Sequence, residues 1–141
     1  MAVTILADSG AIVAALDKRD EHHTWAAGRL AALRFPFVTC EAVLSECFFL
    51  LQHLRSGKQS LCGLLERGAI LVKFDASSEI SALLGLIRKY SDVPMSFADA
   101  CLVRMSESYR DCAVFTTDSD FRTYRRNGRQ VIPTLLPDEN G

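Results

Sequence analysis

Short runs rich in apolar and β-branched residues alternate along this chain with longer segments whose apolar residues recur at helical spacing. That alternation restricts the fold more than any other feature. The short runs are residues 3–7, Phe37 with Val38, 69–74, 112–116, and a last one around Val131 and Ile132. Strands separated by helices imply an α/β architecture, a mostly parallel sheet covered on both faces.

Helices are predicted over residues 9–16, 21–33 and 40–54 and over a shorter segment marked by Leu61, Leu64 and Leu65. A further stripe runs through Ile80, Leu83, Leu84, Ile87 and Tyr90, after which Pro94 forces a break. Thr39 stands where it would cap the helix from Cys40. Ser96-Phe97-Ala98-Asp99 has the S-x-x-D form of a capping box and opens a helix through Cys101, Leu102 and Met105.

The chain has 141 residues, 49% of them hydrophobic, with no internal repeat and no linker rich in Pro, Gly or Ser. A single domain over residues 1–141 follows, and a disordered or fibrous protein is excluded. At this length folding buries roughly two-thirds of the unfolded surface, so neither a disulfide nor a structural metal is needed. Cys40, Cys47, Cys62, Cys101 and Cys112 form an odd set without a C-x-x-C pair, which reads as buried free thiols in a reducing compartment. The first residues lack a basic region and run into Asp8, and the longest apolar runs are too short to span a bilayer. The expectation is a cytoplasmic protein with no membrane segment.

Ligands of open parallel sheets bind beyond the carboxyl ends of the strands, where the strand order reverses. The first predicted strand ends in Asp8 and the fourth in Thr116-Thr117-Asp118-Ser119-Asp120, so their acids would converge on one crevice. Glu46 lies within the most apolar helix, between Val43-Leu44-Ser45 and Cys47-Phe48-Phe49-Leu50-Leu51, where an unpaired carboxylate is costly to bury. It needs a partner or a cation. Asp99 also has a purely structural use, completing the capping box and complementing the helix dipole. Asp118 and Asp120 can serve as turn formers and as the cap of a short helix through Phe121. Glu41, in the first turn of its helix, only complements the dipole.

Several carboxylates without clustered His or thiolates form a hard oxygen-donor set suited to Mg²⁺ or Mn²⁺. Divalent-metal phosphate chemistry is its natural use. His22, His23 and His53 have no third ligand in view and read as helix-surface residues. A dinucleotide fold is excluded because Asp8-Ser9-Gly10 replaces the G-x-G-x-x-G loop. An aspartyl phosphatase would want an acid where Gly10 stands. A phosphoacceptor domain would want a Lys after the last strand, but Lys18, Lys58, Lys73 and Lys89 all lie earlier.

In order and spacing, four segments resemble the PIN-domain family and, within it, the small VapC-type toxins. They are the opening strand with Asp8-Ser9, Val43-Leu44-Ser45-Glu46 before an apolar run, Ser96-Phe97-Ala98-Asp99-Ala100, and Thr116-Thr117-Asp118-Ser119-Asp120-Phe121. The resemblance implies a three-layer fold with a five-stranded sheet of order 3-2-1-4-5. It implies Mg²⁺ or Mn²⁺ held by Asp8, Glu46, Asp99 and Asp118, with Asp120 as an outer member and Thr116 orienting a ligand or water. It implies an endoribonuclease acting on single-stranded or looped RNA, which inhibits translation as the toxin of a toxin–antitoxin pair. A cognate antitoxin and a homodimer belong to the same expectation. The rival reading is a catalytically silent PIN-fold binding module.

Twelve of the 16 basic residues are Arg, and Arg122, Arg125, Arg126 and Arg129 crowd together close to Asp118. Arg matches phosphate geometry, so Arg122, Arg125 and Arg126 are candidates for guiding an RNA backbone. The net charge of −1 is then the sum of an acidic crevice and a basic patch.

Overall fold

Strand β1 (Thr4–Ala7) occupies the middle of a five-stranded sheet in the computed structural model, which describes residues 3–32 and 34–140. In chain order, α1 (Ser9–Leu16) and α2 (His23–Ala31) lead to β2 (Phe37–Thr39). Then come α3 (Glu41–Leu50), α4 (Arg55–Glu66), β3 (Ile70–Val72), α5 (Ile80–Lys89), α6 (Phe97–Ser106) and β4 (Cys112–Phe115). Three two-residue strands close the chain: β5 (Arg125–Arg126), β6 (Gln130–Val131) and β7 (Thr134–Leu135).

The main sheet has the order β3-β2-β1-β4-β7, and every pairing in it is parallel. This is the predicted order with one correction. The fifth position belongs to β7, not to the run at Val131 and Ile132. Arg125–Arg126 and Gln130–Val131 form a separate antiparallel hairpin, turned by Asn127 (φ 51°) and Gly128 (φ 81°), a pair that tolerates left-handed backbone. Ile132 is buried in the core, and the chain joins β4 only afterwards.

Other boundaries move for identifiable reasons. The helix expected over 21–33 is α2, which starts at His23 because Asp20 accepts the His22 and His23 amides in a turn; Leu33 lies outside the described residues. The helix expected to reach Leu54 ends at Leu50, and Leu54 caps the longer α4 instead. Thr39 is not the cap of α3: Cys40 holds that position, while Thr39 closes β2 and donates its hydroxyl to Ala7 O at 2.8 Å. At the core, Phe115 is wholly buried, with Trp25 at 5.2 Å and Phe37 at 5.0 Å between ring centroids. Cys40, Cys47, Cys101 and Cys112 are buried free thiols, and Cys62 is half-buried and free. No helix among the described residues is long and apolar enough to cross a membrane.

Replacing Phe115 by Ala removes the ring that joins β4 to both α2 and β2. It should cost about 3–5 kcal/mol, read as a lowered urea midpoint with an unchanged slope.

Candidate active site

The order of the strands decides where the acids go. β1 and β4 are hydrogen-bonded neighbours, with Ala7 opposite Phe115, so the residues that follow each of them emerge side by side at the carboxyl edge of the sheet. Asp8 follows β1; its amide donates to Phe115 O at 2.9 Å, and its Oδ1 caps α1 by accepting the Ser9 amide at 2.8 Å. Oδ2 accepts the hydroxyl of Thr116 at 2.7 Å. Thr116 Oγ1 in turn accepts the Asp118 amide at 2.9 Å, and Asp118 Oδ1 accepts the Asp120 amide at 2.9 Å, which caps the short turn Ser119–Arg122. Gly10 lets the two segments approach, because a Cβ there would stand 2.5 Å from Thr117 Oγ1.

The other two acids arrive on helices. Glu46 of α3 was expected to need a partner or a cation; it is half-buried, and Ser9 Oγ donates to its Oε1 at 3.0 Å. The apolar run around it does not enclose it, since Phe49 and Leu50 face solvent. Asp99 stands in the first turn of α6 within the predicted capping box: its Oδ2 accepts the Ser96 amide and its own amide donates to Ser96 Oγ, both at 3.0 Å. The hydroxyl of Tyr124 reaches the same Oδ2 at 3.4 Å. Tyr124 is wholly buried, with Tyr90 and Phe121 packed edge-on against its ring. Burial and the charges of Asp99, Asp120 and Asp118 hold its hydroxyl protonated, as a donor.

Every one of these acids is served by hydroxyls or amides. Among the described residues, none of Asp8, Glu46, Asp99 and Asp118 has an ion pair with Lys, Arg or His. Burial pushes the Asp8 carboxyl up to about 7; the Thr116 and Ser9 bonds pull the other way, while Asp99 and Glu46 add repulsion. Asp99 is also raised, by burial first, with Asp118 and Glu46 adding charge repulsion. Asp120 is raised by burial and by Asp118. These acids sense one another, yet no three His, Cys, Asp or Glu side chains among the described residues close into a ready-made metal cage. The donor set is nevertheless all oxygen and anionic, the chemistry that suits a hard divalent ion.

The basic candidates separate from one another. Arg126 is buried, with Nη2 donating to Tyr109 O at 2.7 Å and Nη1 to Cys112 Sγ at 3.5 Å. It is withdrawn from the substrate-binding set, because its guanidinium braces the chain instead of facing solvent. Arg125 folds Nη1 back onto the carbonyls of Arg122, Thr123 and Tyr124, and its amide donates to Tyr90 Oη at 2.9 Å. Arg122 is exposed and pairs with Asp138 at 2.9 Å. His23 Nδ1 is taken by Ala14 O at 2.8 Å. Ser9 and Tyr124 are the residues that sequence reasoning missed. Ser9 was adjacent to an acid and could have been found as a hydroxyl at a strand end; no local pattern ties Tyr124 to Asp99.

In metal-free protein, folding stability should fall as pH rises from about 4 to about 7, since the native state holds the Asp8 proton that the unfolded chain releases. Asp8→Asn keeps an acceptor for the cap and removes that charge. In EDTA its unfolding free energy from urea titration should exceed that of wild type at pH 8 by about 2–4 kcal/mol, and the gap should close near pH 4.

Comparison with known proteins bears on the family and the fold. Residues 5–127 match the model of the PIN domain family. A search of curated protein sequences returned no match. Among solved structures, VapC20 of Mycobacterium tuberculosis, a toxin that cleaves the sarcin-ricin loop, is similar with a TM-score of 0.69 and 23% identity, over 85% of this chain and 94% of that one. The match extends over most of the chain and takes in all four acids of the cluster: this chain belongs to the PIN-domain family.

Proposed function

We propose that the protein is a Mg²⁺- or Mn²⁺-dependent endoribonuclease that hydrolyses RNA phosphodiester bonds, and that it is the toxin of a toxin–antitoxin pair inhibiting translation. One observation carries the reading: Asp8 is buried at the carboxyl edge of the sheet, beside Asp99 and Glu46, with no Lys, Arg or His paired to it among the described residues. A folded protein tolerates such a cluster at a cost that a bound divalent ion removes. VapC20, similar in fold, is a toxin that cleaves the sarcin-ricin loop, which supports a looped or single-stranded RNA as the substrate here.

In this reading Asp8, Glu46, Asp99 and Asp118 hold the ion, with Asp120 outside them. Bound there, it would make a water nucleophilic near neutral pH and neutralise the leaving oxygen. Thr116 and Ser9 orient the Asp8 and Glu46 carboxylates, so that little reorganisation is left for the reaction. Tyr124 and the Ser96 amide hold Asp99 Oδ2 and leave its other oxygen for the site. Arg122, with the polypeptide around Arg125, is placed after Asp118 to meet RNA phosphates. The chain would work as a single PIN domain over residues 1–141, in the cytoplasm, as a homodimer, with a small antitoxin whose acidic segment competes for the same arginines. The second reading, a silent binding module, draws on the hydroxyl and amide donors that already satisfy the acids without metal.

Total cellular RNA should be cut with Mg²⁺ or Mn²⁺ and left intact with EDTA. Asp99→Asn and Asp118→Asn, folded as judged by circular dichroism, should each lose about 100-fold or more of the activity. Absence of metal-dependent cleavage by the wild type favours the binding module.

A further inference from the structure

The outer side of α3 beside the acids has the composition of a base-binding surface. Ser9, Ser45, Glu46, Phe49 and Leu50 line a cavity of about 410 Å³. On the inner side of the same helix Val43 and Cys47 are wholly buried, whereas Phe49 is 67% and Leu50 56% exposed. Four-residue spacing stacks Phe49 one turn above Ser45, and Leu50 one turn above Glu46. Single exposed apolar residues need no explanation, but these two adjoin a carboxylate of the candidate site. The ring of Phe49 is also outside every aromatic pair among the described residues.

We propose that Phe49 is a stacking platform for an unpaired nucleobase of the RNA, next to the bond that is cut. This rests on the ribonuclease reading and specifies the substrate as RNA with an unstacked base at that point. The lining argues for a base over other occupants. It contains no Lys or Arg and one carboxylate, so it repels a phosphate. It offers an aromatic face and an aliphatic wall, with two hydroxyls and a carboxylate positioned for a donor-bearing base edge. It is continuous with the acidic cluster, because Glu46 belongs to both and Ser9 bonds Glu46 while following Asp8. Stacking on an aromatic side chain is tolerant of sequence, because every base has a π-face.

The test uses short single-stranded RNAs carrying 2-aminopurine at one position, bound in Ca²⁺ at low salt and followed by fluorescence. Wild type should quench the probe at one preferred position. Phe49→Ala should weaken binding roughly 5- to 100-fold and abolish the quenching, while Phe49→Trp keeps both. An abasic nucleotide at the preferred position should cost wild type a similar factor and Phe49→Ala nothing further. Equal binding and quenching by Phe49→Ala overturns the platform. So does a Phe49→Ala protein that changes from dimer to monomer in light scattering with RNA binding intact, which gives this face to a second copy of the chain. Wild type that neither binds nor cuts RNA overturns the ribonuclease reading as well, whereas cutting that ignores Phe49 removes the platform alone.

Discussion

The bond from Thr116 Oγ1 to Asp8 Oδ2, 2.7 Å long, ties the ends of two neighbouring parallel strands through their side chains. Parallel pairing alone brings those ends together; it does not say which way the carboxylate points. With one oxygen taken by Thr116 and the other by the Ser9 amide, Asp8 has a fixed orientation, and Thr116 passes the constraint on to the Asp118 amide. Loss of this hydroxyl would leave the acids close in space but free of a common frame. Glu46 and Asp99 are held separately, by the Ser9 hydroxyl and by the Ser96 cap with Tyr124.

The hydroxyl-rich support has a physical logic. Arg or Lys partners would have stabilised these carboxylates in the resting protein, and would then have competed with any cation arriving later. Neutral donors hold the geometry without cancelling the charge. The cost appears as the raised carboxyls of Asp8 and Asp99, stability withheld from the fold that any cation bound there would return.

Much of this was legible in the chain because each acid follows a recognisable element. Asp8 and Asp118 end apolar strands, and Asp99 completes a capping box, so spacing places them without knowledge of distant contacts. Glu46 was found for a partly mistaken reason, since its helix is apolar without being enclosed, and Phe49 and Leu50 are open to solvent. Arg126 looked like its neighbours in sequence and is buried, because hairpin pairing turns it inward toward Tyr109 and Cys112. The Asn127-Gly128 dipeptide was a local signal for that hairpin, and reading Val131 as part of the sheet passed over it. Tyr124 could not have been found in this way: its contact with Asp99 spans 25 residues and depends on how the turn after β4 packs.

The fifth strand comes late. β7 adds only Thr134 and Leu135 opposite Val114 and Phe115, beyond residue 127, where the match to the family ends. Those two residues, with Pro133, occupy the outer hydrogen-bonding groups of β4. A fragment trimmed to the matched segment would retain all four acids and still present an uncovered strand edge directly beside them. Such an edge is a template for any extended chain that meets it, so the last residues act as a selvage, keeping the weave that carries the acids from being extended by a stranger.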